Sequence, residues 1–192
     1  MNADIAVLYS TGSGHTELVA KHLAKGIEEI ARVQIIDVRQ DFDIEDLHKM
    51  DGLVFGSPTY MGSADSHFKG FMDATSKFWT EQPWKDKVAA GFTVGGCPSG
   101  DKLMTLVQLA VFAAQHGMIW VGQSELGDKF SDSKDRRNCD GFWMGLGASS
   151  ISDKNQKLRV EDLLTAELFG KRIAAITTTF KRGQLEYLNV ER

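Results

Sequence analysis

The fold is set by the stretch Ile5-Ala6-Val7-Leu8-Tyr9-Ser10-Thr11-Gly12-Ser13-Gly14-His15-Thr16. Its first five residues form an apolar run bounded by polar residues, which is typical of a strand buried on both faces. A Gly/Ser/Thr loop follows, and apolar residues then recur at helical spacing from Leu18 to Ile30. A buried strand, a short loop and an amphipathic helix in succession predict the start of an α/β domain.

The same alternation continues along the chain. Further strands are predicted at Val33–Val38, Leu53–Phe55, Val88–Val94 and Met118–Val121, and further helices at Phe68–Trp79, Leu103–Gln115 and Glu161–Phe180. Strands that alternate with helices predict a parallel sheet covered on both faces. We therefore expect one domain over residues 1–192. The stretch from about 122 to 160 exceeds ordinary loop length, so we expect it to be an excursion that serves as a lid or an interface.

Composition and charge exclude several classes of protein. The chain has 192 residues and a net charge of −4, which disfavours nucleic acid as the main partner. Only Cys97 and Cys139 are cysteines, which fits reduced thiols in a cytoplasmic protein. The first apolar run is too short for a signal peptide or a membrane span. The five histidines are scattered without ligand spacing, so no metal site is expected.

The loop Thr11–Thr16 has the composition of an anion site. Glycines allow backbone N–H groups to converge, the hydroxyls add donors, and the next helix contributes its free amides and positive dipole end. The loop has no lysine, and both the Walker and the dinucleotide glycine patterns are absent. A phosphate monoester is the natural occupant, and an ordinary helix-capping loop is the alternative.

Two more loops should lie at the same edge, because the carboxyl ends of parallel strands meet there. Gly56–Ser63 offers a tyrosine and a methionine to an aromatic ring, and Thr93–Gly100 is rich in glycine. Each alone could be a simple turn. Together with the first loop they predict a site for a phosphorylated heterocycle.

Several motifs resemble a known family. Thr11-x-Ser13-Gly14-x-Thr16-Glu17 is similar to the flavodoxin phosphate loop. Gly56-Ser57-Pro58-Thr59, the helix face Phe71-Met72-Asp73…Trp79 and Gln115-His116-Gly117-Met118 resemble the WrbA-type NAD(P)H:quinone oxidoreductases and NADPH-dependent FMN reductases of the flavodoxin-like superfamily. The resemblance implies a flavodoxin-like α/β fold with a five-stranded parallel sheet in the order 2-1-3-4-5.

The resemblance also implies a bound FMN and the residues that hold it. Tyr60 and His116 are the candidate catalytic residues, with His116 at the pyrimidine side of the ring. A helix C-cap before Gly117 is a compatible role for this histidine. The full set of candidate FMN-binding residues is Thr11, Gly12, Ser13, Gly14, His15, Thr16, Pro58, Thr59, Tyr60, Met61, Gly62, Thr93, Val94, Gly95, Gly96 and His116.

The implied activity is hydride transfer from NADH or NADPH to FMN and then to a quinone-like acceptor, in a homodimer or homotetramer. Since no separate dinucleotide motif is present, donor and acceptor should use one flavin face in turn, in ping-pong fashion. The family commonly has Arg-Phe where this chain has Tyr60-Met61.

An electron-transfer flavodoxin is the alternative function, and a regulatory protein with a vestigial flavin site is a third possibility. Trp79 could wall a substrate site or belong to the core, and Phe142-Trp143 could form a lid or bury locally.

Overall fold

The computed structural model describes residues 2–127, 136–151 and 158–190. Its strands are β1 (Asp4–Tyr9), β2 (Arg32–Asp37), β3 (Gly52–Tyr60), β4 (Ser63–Ala64), β5 (Val88–Gly95), β6 (Ile119–Trp120) and β7 (Leu146–Ser149). Its α-helices are α1 (His15–Glu28), α2 (Ser66–Ala74), α3 (Lys102–Gln115) and α4 (Val160–Val190). No helix within these ranges is long and apolar enough to cross a membrane.

The main sheet is parallel, with the order β2-β1-β3-β5-β6. This order confirms the flavodoxin-like α/β arrangement expected from the sequence. Successive side chains of a strand point to opposite faces, so each central strand contributes to two cores. One core packs the sheet against α1 and α4, and the other packs it against α2 and α3.

Strand β3 is longer than its apolar core suggests and continues through Ser57 and Pro58 to Tyr60. Ser57 and Pro58 pair with Thr93 and Val94 on β5. The amide of Ser10 donates to the carbonyl of Gly56, so in a parallel ladder the nitrogen of Pro58 is the one that faces Ser10 in return. Because proline has no N–H to donate, the pairing of β3 with β1 ends at this point, while β3 continues beside β5.

The position of the fifth strand is shared by two short strands. β6 pairs with the amino half of β5 and β7 with its carboxyl half, where Phe92 lies beside Leu146 and Gly95 beside Ser149. Part of the expected excursion therefore belongs to the sheet. The sequence Leu146-Gly147-Ala148-Ser149 lacks an apolar run, so periodicity could not identify this strand. The parts of the excursion at 128–135 and 152–157 lie outside the described residues.

Helix α4 extends to Val190, beyond the predicted end at Phe180, and crosses α1 at two glycines. A Cβ atom added at Gly26 would overlap the carbonyl oxygen of Glu167, and one at Gly170 would overlap that of Leu23. The two backbones therefore approach more closely than side chains would allow. This crossing holds α1, and with it the loop that precedes α1, against the sheet.

Candidate functional site

A cleft of about 280 Å³ opens at the carboxyl edge of the sheet, where the loops after β1, β3 and β5 meet. Twelve residues line it: Thr11, Gly12, Ser13, His15, Thr16, Pro58, Thr59, Tyr60, Val94, Gly95, Gly96 and Ser150. All of them except Ser150 are residues that the sequence predicted for the site. Ser150 follows β7 and was not predicted, because apolar periodicity does not reveal that short strand.

The first loop presents an open helix terminus to the cleft. Thr11 is buried, and its Oγ1 accepts from the amide of Gly14 at 3.0 Å. Gly14 has a φ of 88° and is the N-cap of α1, where no side chain caps the helix. Only glycine adopts this backbone conformation without strain. The first amides of α1 are therefore left to bind an anion in the cleft.

An arginine braces this loop from behind. The Nη1 atom of Arg39 donates to the carbonyl of Thr11 at 2.5 Å, while the other guanidinium nitrogens grip the carboxylate of Asp37. These hydrogen bonds lower the pKa of Asp37 and raise that of Arg39. The guanidinium thus holds the loop backbone without entering the cleft. The phosphate-loop motif does not predict this contact, because Arg39 lies beyond β2 and far from the loop in sequence.

The second loop contributes Pro58, Thr59 and Tyr60 but not the next two predicted residues. Tyr60 is 52% exposed and lies across Gly12, where a Cβ atom would overlap its hydroxyl. Met61 and Gly62 have φ values of 50° and 79° and form the two-residue turn between β3 and β4. The Met61 side chain is fully exposed to solvent, and neither Met61 nor Gly62 lines the cleft, although both were predicted for the site.

Thr93 supports the site from behind rather than lining it. It is fully buried and donates to the carbonyl of Ser57 at 2.7 Å. Its proton is thereby used, so it accepts from Thr59, which in turn accepts from Thr105 on α3. This chain of hydroxyls fixes the rotamer of Thr59 at the cleft wall.

A second buried network joins the ends of β1 and β3. Asp65 caps α2 through the amide of Phe68, and the same carboxylate oxygen accepts from Ser10 at 2.6 Å. The amide of Asp65 donates to Ser57 at 2.9 Å. The sequence indicates the capping role of Asp65 only weakly, since an aspartate before an apolar helix is a common N-cap.

A larger groove of about 780 Å³ adjoins the cleft, between the third loop and residues 140–144. Leu103, Met104 and Trp143 line it and are each about half exposed. Phe142 is buried, so of the two alternatives weighed for Phe142-Trp143 the first residue buries locally and the second faces the groove.

His116, predicted as a flavin neighbour and catalytic residue, does not line the cleft of its own chain. Helix α3 starts after the carboxyl end of β5 and runs back across the sheet, so its C-cap His116 lies at the amino edge. There His116 is buried, bonded to Thr75 at 2.9 Å and packed on Trp84. Gly117 follows with a φ of 68°, as expected for the C-cap role. Trp79 lies at the same edge, half exposed, with its indole N–H on the carbonyl of Gln115.

Comparison with known proteins agrees with the fold and the motifs. The family model of NADPH-dependent FMN reductase matches residues 43–131. The chain is 36% identical over 178 residues to Flavodoxin FldP of Pseudomonas aeruginosa, covering 88% of this chain and 94% of that protein. It is 29% identical over 199 residues to an NAD(P)H dehydrogenase (quinone) of Archaeoglobus fulgidus, covering 91% and 97%. A crystal structure of a flavodoxin, WrbA-like protein from Agrobacterium tumefaciens superposes with a TM-score of 0.72 at 35% identity, covering 93% and 99%. The chain belongs to the flavodoxin-like family that includes the WrbA-type proteins and the FMN reductases.

Proposed function

We propose that the protein binds FMN in the cleft and passes hydride from NADH or NADPH to a quinone-like acceptor. The observation that carries this proposal is the convergence of three predicted loops on one cleft at the carboxyl edge of the sheet. Relatives named FMN reductase and NAD(P)H dehydrogenase (quinone) support it.

The residues present fit FMN. The uncapped start of α1 and the buried Thr11 and Thr16 suit a phosphate held by neutral donors. No carboxylate lines the cleft among the described residues, so a dianion meets no like charge there. Thr11 to Thr16 would hold the phosphate, and the remaining lining residues would hold the ring.

FMN supplies the two-electron hydride chemistry when bound, and the protein supplies position and electrostatics. The amides of Gly95 and Gly96 are the groups placed to stabilise negative charge at the ring edge. Tyr60, with its exposed phenol beside the phosphate loop, would shield the cleft. His116 lies at the opposite edge of the sheet from the cleft of its own chain, so no role in that cleft is assigned to it.

The neighbouring groove supports an apolar, planar acceptor. Leu103, Met104 and Trp143 line it with about half of each residue exposed, and such side chains suit an aromatic or quinonoid molecule. Donor and acceptor would occupy this side of the cleft in turn, which predicts ping-pong kinetics with parallel double-reciprocal plots.

An electron-transfer flavodoxin is the second candidate, favoured by the 36% identity to Flavodoxin FldP. Anaerobic stopped-flow mixing of FMN-loaded protein with NADH or NADPH distinguishes the two. We expect at least one nucleotide to bleach the flavin absorbance within seconds and a quinone to restore it. If neither nucleotide bleaches the flavin, while chemically reduced protein still passes electrons to an acceptor, the carrier function replaces the proposed one.

A further inference from the structure

Lys102 is a buried cation next to the cleft. It is the first residue of α3 and the only charged residue in that helix, and its exposure is 0%. Removing an ammonium group from water is costly, so a buried lysine without a role is uncommon. A lone lysine at the first turn of an otherwise uncharged helix was the sequence signal that could have identified it.

The contacts of Lys102 tie it to the third loop. Its Nζ donates to the carbonyl of Cys97 at 2.6 Å and to the hydroxyl of Ser149 at 2.7 Å. Its stem packs under Gly95, where an added Cβ would lie 3.1 Å from Cγ and 4.0 Å from Nζ. Gly95 and Ser150 both line the cleft, so the ammonium group lies directly behind the cleft wall.

The two carboxylates near Lys102, those of Asp140 and Asp162, share one further cation, Arg159. Ser149 donates onward to Asp140 at 3.2 Å, and Arg159 grips Asp140 at 2.6 and 3.0 Å. Arg159 also binds Asp162 at 2.9 Å. Of these four charged residues, Lys102 is the one that contacts the third loop, through the carbonyl of Cys97.

The surroundings of Lys102 pull its charge state in two directions. Burial lowers the pKa of the lysine amine, and Asp140 and Asp162 oppose that change and favour the ammonium form. Burial alone would raise the pKa of Asp140, but Arg159, the hydrogen bond from Ser149 and the charge of Lys102 together lower it. Asp140 therefore stays available as a counter-charge.

We propose that Lys102 is a positioning residue that raises the reduction potential of the flavin bound in the cleft. This inference rests on the proposed FMN function. Accepting a hydride, with its two electrons, from a nicotinamide adds one negative charge to the flavin and leaves the nicotinamide oxidised. A fixed positive charge behind the ring edge stabilises the reduced flavin more than the oxidised one, because few solvent dipoles screen it. Lys102 also holds the carbonyl of Cys97, which keeps the loop amides aimed at the cleft.

The test measures the two-electron midpoint potential of bound FMN and the dissociation constant of oxidised FMN in four variants. In Lys102→Met, which keeps the length of the stem, we expect reduced FMN to lose at least about ten-fold more affinity than oxidised FMN. That ratio corresponds to a potential lower by about 30 mV. Lys102→Arg should restore most of the difference.

Lys87→Met is the matched control. Lys87 is partly buried and, like Lys102, makes two hydrogen bonds, here to the carbonyls of His48 and Met50, but it lies at the amino edge of the sheet. The substitution Lys87→Met should lower thermal stability without changing the midpoint potential of bound FMN. Asp140→Asn tests the same idea without touching Lys102, and removing this counter-charge should raise the potential.

The outcomes separate the two claims. Equal losses of affinity for oxidised and reduced FMN in Lys102→Met would overturn the inference, as would a potential that falls equally in Lys87→Met. If Lys102→Met does not fold, an unchanged or lower potential in Asp140→Asn overturns it. Failure of the wild-type protein to bind FMN would instead refute the proposed function.

Discussion

At the scale of single residues, Arg39 determines how firmly the first loop is held. Its guanidinium bonds the carbonyl of Thr11, so Arg39→Gln should loosen the loop that would bind the phosphate. One lost hydrogen bond of a charged donor is worth roughly 1.5–3 kcal/mol. We expect FMN affinity to fall at least ten-fold, measured by quenching of FMN fluorescence. Riboflavin, which has no phosphate, should bind almost as well as before.

An arginine at the start of β2 gives the control for this experiment. Arg32 bonds the carboxylate of Asp4 at the other end of the strand. Arg32→Gln removes a similar ion pair and should leave the affinities for both flavins unchanged. An equal loss of riboflavin and FMN affinity in Arg39→Gln would show that Arg39 does not act on the phosphate loop.

His116 should make stability depend on pH. Thr75 donates to the carbonyl of Met72, so it accepts the proton of His116 Nε2, and the buried Nδ1 has no partner. Burial lowers the pKa of His116 in the folded state, so the unfolded chain binds the proton more readily. This contribution to stability is present above about pH 6.5 and is lost as pH falls from there through the folded pKa.

His116→Gln should reduce this dependence while keeping a donor for Thr75. Urea unfolding at pH 7.5 and pH 5.5 measures this dependence. Between pH 7.5 and pH 5.5, the free energy of unfolding should fall less in the variant than in the wild type. Identical losses in the two proteins would show that His116 does not titrate as described.

At the scale of elements, the crossing of α1 and α4 depends on glycine. Alanine normally stabilises a helix by about 1 kcal/mol relative to glycine. At Gly170, however, the added methyl group would overlap the backbone of α1, so we expect Gly170→Ala to destabilise the protein by about 2 kcal/mol or more.

Gly183 in the same helix is the matched control, because nothing lies within 4 Å of a Cβ added there. Gly183→Ala should be neutral or stabilising in thermal unfolding. If both substitutions had the same effect, close packing of the two helices would not be the reason for Gly170.

Periodicity predicted the elements that bury a continuous face and missed those that do not. The helices and central strands follow from apolar spacing, whereas β7 has only Leu146 and Ala148 to mark it. The position of His116 follows from topology rather than from its motif. Because α3 starts at the carboxyl edge of the sheet, it ends at the amino edge, and His116 therefore lies away from the cleft of its own chain.

At the scale of the whole molecule, the cleft is a product of topology that local sequence describes only in part. The loops after β1, β3 and β5 were identifiable because each has an unusual composition at a place where strands end. Their supports were not predicted, because the contacts of Arg39, Asp65 and Lys102 join residues distant in sequence, and the composition around them indicates at most a helix cap or a buried charge. Which loop residues face the cleft also depends on where the strand ends. Because β3 continues to Tyr60, Met61 falls in the turn before β4 and is exposed to solvent.

The central claim is that this cleft holds FMN by its phosphate. The most direct measurement is titration of the purified protein, stripped of flavin, with FMN and with riboflavin. We predict that one FMN binds per chain and that its fluorescence is quenched. Riboflavin should bind about 100-fold more weakly or worse, as expected if the phosphate contributes about 3 kcal/mol to binding. Equal affinity for the two flavins, or no binding of either, would contradict it.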